Sequence, residues 1–180
     1  MVGKSPYQEV RSFIEPLNRA LSCVTKAVLV ASGSDPANQR HAVVLNNGNP
    51  VSLRTNPPLW LTVLMHYKVV PAQGQFGPWK VSTVAYIYSI QDKQGHELLA
   101  YHWHPTSTPQ YGYAHLHVHS GILAKLHLPT RPILLEEVLQ TVDYPTQRKA
   151  HQKRLGKNSP GNAGPLKISQ CQWGLQWGLA

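Results

Sequence analysis

The chain has 180 residues, 42% of them apolar and only 14% charged, with 13 glycines and 15 prolines. That suffices to bury a core in one domain and excludes collagen, coiled coil and full disorder, with strands and loops outweighing helices. Seventeen Lys and Arg against eight Asp and Glu leave a net charge of +9, which points toward polyanions: nucleic acid, nucleotides or an acidic protein.

The two cysteines, Cys23 and Cys171, lie 148 positions apart and neither has metal-ligand spacing. Such usage reads as a reducing, cytoplasmic setting. Lys4, Glu9, Arg11, Glu15 and Arg19 break up any secretory signal near the start. No apolar run reaches the ~18 residues of a membrane span, so the expectation is a soluble protein with no membrane partner.

Ser5-Pro6 predicts a helix start, with Ser5 as N-cap and Pro6 in the first turn. Val10, Phe13, Ile14, Leu17 and Leu21 follow at helical spacing, and Pro16 predicts a kink or an early end. Short β-rich runs come next: 27–31, 41–45, 51–53, 59–70, 81–90 and 98–104. Asn46-Asn47-Gly48-Asn49 and Asp92-Lys93-Gln94-Gly95 read as hairpin loops. A seventh strand is expected over 113–119 and an eighth over 122–126. A second helix is expected from Pro132 to Asp143, with Thr130 as N-cap and Leu134, Leu135, Val138, Leu139 and Val142 as its apolar stripe. The fold class is α+β: a twisted, largely antiparallel sheet with an N-terminal helix, one later helix and a basic C-terminal extension. The domain covers 1–145 and the extension 146–180.

Seven of the ten histidines fall between residues 96 and 127. His102 and His104 are two apart on one expected strand, and His115, His117 and His119 are spaced likewise on the next, so each set points to one side. If the strands pair, five imidazoles share a surface. Such a surface can split acid and base work across a phosphodiester, with a protonated third ring steadying the developing charge. Alternatively, the same five rings can ligate Zn²⁺ or another first-row divalent metal. The plainer explanation is that the histidines alternate with Leu116 and Val118 because one side is wet.

Ala85-Tyr86-Ile87-Tyr88-Ser89, Tyr101-His102-Trp103-His104, His115-Leu116-His117-Val118-His119 and Leu135-Glu136-Glu137-Val138-Leu139 together resemble, in order, the TumE-type small toxins of bacterial toxin/antitoxin pairs. The resemblance covers residues 84–139, and His104-Pro105 stands where that family carries an Arg-aromatic-Asp pattern. It implies a small nucleic-acid-directed protein with an antitoxin-like partner. The His115–His119 run is also similar to the histidine-triad signature of nucleotide hydrolases and transferases, which would make His117 a nucleophile. Ser120-Gly121 replace the apolar pair of that signature.

Arg148, Lys149, Lys153, Arg154 and Lys157 pack five cations into ten residues of the extension and would track a phosphate backbone. Lys125 adds a candidate phosphate contact, and Tyr111 and Tyr113 are candidate base-stacking residues. Trp103, opposite in parity to His102 and His104, is expected in the core. The expected function is that of a small intracellular protein acting on RNA or nucleotides, a toxin-like ribonuclease with His102, His104, His115, His117 and His119 as catalytic residues and no obligatory cofactor. The alternatives are a non-enzymatic nucleic-acid-binding or protein-interaction module, a histidine-triad-like nucleotide hydrolase and a His-ligated metal-dependent enzyme.

Overall fold

The structure, a computed structural model, describes residues 5–36, 39–72, 77–105, 112–119, 121–124 and 126–143. Tyr111, Lys125 and the whole basic extension, with Arg148, Lys149, Lys153, Arg154 and Lys157, lie outside the described residues.

Helix α1 spans Pro6–Ser22. The Ser5 hydroxyl accepts from the Gln8 backbone N–H while the Gln8 side chain accepts from the Ser5 N–H, a complete capping box. Pro16 does not end this helix. Val10, Leu17, Ala20 and Leu21 bury on one face, and that packing outweighs the hydrogen bond lost at Pro16. At the far end the Arg54 guanidinium donates to the carbonyls of Ser22 and Thr25, supplying donors where a helix leaves acceptors bare.

The strands are β1 (Leu29–Ala31), β2 (His41–Leu45), β3 (Val51–Ser52), β4 (Trp60–Pro71), β5 (Trp79–Gln91), β6 (Glu97–Trp103), β7 (His115–Val118) and β8 (His127–Pro129). They form one sheet in the order β1-β2-β4-β5-β6-β7-β8, with β3 also on β4 and every pairing antiparallel. The α+β class with an N-terminal helix, a twisted antiparallel sheet and one later helix holds.

Three local expectations change. The segment expected as a hairpin loop at 46–49 instead holds a 3-10 turn, Asn46–Gly48, since β2 and β3 both pair with β4 and not with each other. Asn46 and Asn47 adopt positive φ there, as short polar side chains tolerate. The eighth strand is His127–Pro129, and the stretch before it includes a 3-10 turn at Gly121–Leu123. The second helix, α2, covers 135–143. Leu134 rather than Thr130 caps it: the Glu137 carboxylate accepts from the Leu134 N–H at 3.0 Å, while the Thr130 N–H still follows the sheet by donating to Ala114.

Both helices cover the same face of the sheet. Leu61, Val63, Met65, Tyr67 and Val69 of β4 alternate inward and join Leu17 and Leu21 of α1 and Leu135, Val138 and Leu139 of α2 in one core. In β5 the register shifts opposite His66 and Tyr67, which leaves Val84 as an extra residue. That bulge lets even-numbered Tyr86 and Tyr88 and odd-numbered Val81 turn to the same core. Trp103 packs against this core as expected, and the Tyr86 hydroxyl accepts from the Ile133 N–H at 2.8 Å, holding the approach to α2.

Cys23, just past the end of α1, is disulfide-bonded. The expectation of reduced thiols is not met at this position; Cys171 lies outside the described residues. Among the described residues no helix is long and apolar enough to cross a membrane.

Candidate metal centre

The β6–β7–β8 edge brings the histidines together on the sheet face turned away from the helices. In register, His102 opposes His115, Ala100 opposes His117 and His117 opposes His127. Leu99, Tyr101 and Trp103, the alternate residues of β6, pack inward against the core, so His102 points outward. Ser89 and Ala100, fully covered and adjacent in register, are small enough to let the rings beside them sit low on the sheet.

Ring centroids lie 4.4 Å apart for His102–His117, 4.9 Å for His115–His117 and 5.6 Å for His102–His115. His104 sits 5.3 Å from His115, and His119 lies 6.0 Å from His117. All five histidines expected to cluster therefore do so. A sixth, His127, was not singled out by the sequence: its ring is 4.2 Å from His117 and 5.1 Å from His115. Its signal was present, because His127-Leu128-Pro129 continues the alternation of β7 on the neighbouring strand. Of the expected base-stacking residues, Tyr113 is 41% exposed with its ring 5.7 Å from that of His115.

His102, His115 and His117 each offer a ring nitrogen, and the three nitrogens lie within 4.8 Å of one another. Tetrahedral zinc, with Zn–N of about 2.0–2.1 Å, needs nitrogens about 3.3 Å apart, so a set spread over as much as 4.8 Å would draw in around the ion. The donors suit such an ion in two further ways. His115 Nδ1 faces the Tyr113 carbonyl oxygen at 2.9 Å; a carbonyl only accepts, so Nδ1 carries the proton and Nε2 the lone pair of the neutral ring. A backbone carbonyl fixing the second nitrogen is the usual outer support of a metal-ligating histidine. His117 Nε2 is buried with no hydrogen-bond partner among the described residues, which a neighbouring cation would relieve.

The electrostatics agree. Burial, followed by the charges of His117, His115, His104 and His127, pushes His102 down to about 4. Burial first, and then neighbouring imidazoles, also lowers His115 and His117. These three rings are therefore neutral near pH 7, the state a ligand needs and a general acid cannot use.

Two carboxylates organise the margins. At the start of β6 the register shifts past Leu98, so that Glu97 opposes Gln91 and its Oε1 lies 2.9 Å from His119 Nε2. Asp92 accepts from the backbone N–H groups of Gln94 and His96 and meets the His96 ring at 3.0 Å. His96 thus belongs to the β5–β6 turn and not to the cluster.

The chain is of the α+β class, with a six-histidine cluster at one edge of an antiparallel sheet and an all-imidazole donor set within it. Comparisons with protein-family models, curated proteins and solved structures find no match.

Proposed function

We propose that this protein binds a first-row divalent cation such as Zn²⁺ through His102, His115 and His117, and that the centre hydrolyses phosphodiester bonds in RNA or nucleotides. One observation carries the reading: three imidazole nitrogens within 4.8 Å of one another, one of whose rings holds a buried nitrogen with no partner among the described residues. Three neutral imidazoles leave a fourth position for water or substrate, and a zinc ion in such a site brings bound water to a pKa of about 7. His104 and His127 stand at the edge of the trio, within reach of a ligand bound there. The net charge of +9 favours an anionic substrate over a neutral one.

The test is the metal content of the purified full-length chain, together with zinc titration of the chelated protein. One equivalent per chain, lost in His117→Ala, supports the reading, and no uptake at micromolar zinc overturns it. Hydrolysis of a labelled RNA is then compared with and without chelator.

A second reading rests on the Glu97–His119 pair. A carboxylate-held imidazole whose ring is 6.0 Å from that of His117 suits metal-free acid–base cleavage, the toxin-like ribonuclease expected from the sequence. It predicts RNA cleavage that survives chelation and is lost in Glu97→Gln. Growth arrest on expression, relieved in the His115/His117/His119 triple alanine variant, tests the toxin-like role and with it the antitoxin-like partner.

A further inference from the structure

Charge is divided across the sheet. Five of the eight acidic residues, Glu9, Glu15, Glu136, Glu137 and Asp143, ride on α1 and α2. Among the described residues, the opposite face carries three cations besides the Glu97 carboxylate that holds His119. Lys68 sits between buried Tyr67 and Val69 on β4, and exposed Lys80 sits between core-packed Trp79 and Val81 on β5, so both turn away from the helices. Arg40 is exposed immediately before buried His41, at the end of β2 that pairs with Tyr67. It acts on the same face: burial first, and then the Arg40 charge, lowers His66.

The histidine centre lies on this face too. Ile87 opposes Leu64 on one side and His102 on the other, and it is 37% exposed. Tyr113 borders the far side of the centre. From Lys68 to the Leu64 row is four residues along β4, about 13 Å, and from β4 to β6 is two strand spacings, about 10 Å. A flexible polyanion covering the roughly 4–16 nucleotides of known single-strand sites spans that distance easily.

We propose that the sheet face opposite the two helices is a binding surface for single-stranded RNA, with Arg40, Lys68 and Lys80 on phosphates and Ile87 and Tyr113 beneath bases, and that it delivers a phosphodiester to the histidine centre. The delivery step rests on the metal-hydrolase reading; the binding step does not. Charge complementarity favours the occupant, since Arg40, Lys68 and Lys80 meet phosphates on the strand face, whereas on the helix side Arg11 and Arg19 are matched by Glu9 and Glu15 and α2 adds only Glu136, Glu137 and Asp143. Next to the histidines, exposed Tyr113 offers a flat ring and exposed Ile87 an apolar contact to bases, which a purely charge-driven surface would lack.

The experiment is anisotropy of a fluorescein-labelled 20-nucleotide oligouridylate with the full-length chain, between 50 and 200 mM KCl, with and without EDTA. The Arg40→Gln/Lys68→Gln/Lys80→Gln variant is expected to bind at least about tenfold more weakly and to lose about 2 from the slope of log affinity against log salt, at about 0.7 per phosphate contact on a single strand. Tyr113→Ala is expected to bind about 5- to 100-fold more weakly. Arg11→Gln/Arg19→Gln on α1 should stay within twofold. Equal thermal melts show that each variant is folded. Wild-type binding by the triple variant overturns the proposal, as does an equal loss in the α1 variant. Binding to phosphatidylserine vesicles without binding to the oligonucleotide overturns it in favour of a lipid surface. Binding is expected to be unchanged by EDTA, so metal content reports the centre and anisotropy reports the face, and either can fail alone.

Discussion

His102 and His115 stand directly opposite each other across the β6–β7 ladder, with ring centroids 5.6 Å apart. The pairing joins two segments whose histidines are separated in sequence by a stretch that includes residues 106–111, which lie outside the described residues. It turns two short alternating motifs into one donor set, because His117 follows His115 on the same side of β7 and meets His102 at 4.4 Å.

The first prediction concerns that set. Replacing His102, His115 or His117 with Ala should weaken zinc binding by at least about 100-fold, a loss at the upper end of that produced by removing an outer-shell support. His96→Ala should bind as wild type, since that ring is held by Asp92 at the β5–β6 turn. Isothermal titration of the chelated protein measures both, and His96→Ala behaving like His117→Ala would refute the assignment.

Acid should destabilise the metal-free protein. His102 is held at about 4 by burial and then by its neighbouring histidines, whereas a free imidazole titrates near 6.5. Between those values the unfolded chain binds more protons than the folded one, so stability is full above about pH 6.5 and falls as pH drops toward 4. His115 and His117 shift in the same direction. The urea midpoint, measured in EDTA, should therefore fall steadily below pH 6.5, and His102→Gln should flatten the fall. A midpoint that rises on acidification would contradict neutral imidazoles in the native state.

Tyr86→Phe removes only the oxygen that accepts from the Ile133 N–H. The ring still packs face to face on Tyr88, with centroids 4.5 Å apart, so the loss isolates one buried donor. About 1–2 kcal/mol of stability should disappear, read from denaturant unfolding followed by tryptophan fluorescence.

Glu137→Gln should weaken the start of α2. The hydrogen bond from Arg131 does most to lower the Glu137 carboxyl; burial opposes it, while the Leu134 N–H and the Arg131 charge reinforce it. A lowered carboxylate contributes stability above the unfolded value of about 4.3 and loses it as pH falls through the folded one. The Arg131 side chain is 65% exposed, so the difference at pH 7 should be no more than about 1 kcal/mol. It should vanish near pH 2, where wild type and variant unfold alike.

Much of the sheet could be read along the chain. Alternation of apolar and polar residues placed β2 at His41–Leu45 as observed, and the Ser5-Pro6 cap placed the start of α1. The bulges at Val84 and Leu98 could not be read this way. Each depends on which residues of a neighbouring strand must face the same side: Tyr67 and Met65 of β4 demand the first, and Ile90 of β5 the second. Without the second shift, Glu97 would turn from the histidine face and His119 would lose its carboxylate. Of the kink or early end expected at Pro16, the early end does not occur, since local propensity says nothing of the core that Leu17 and Leu21 enter.

The candidate centre divides in the same way. Period-two spacing by itself determined that His102 and His104 share a side, and that His115, His117 and His119 do, because a strand leaves its side chains no other choice. Only the tertiary structure decided that these two sides are one, that His127 joins them from β8, and that the helices cover the other face. Strand order and register depend on contacts between segments far apart in the chain, and the buried surface that selects them exists only once the sheet has closed over α1 and α2.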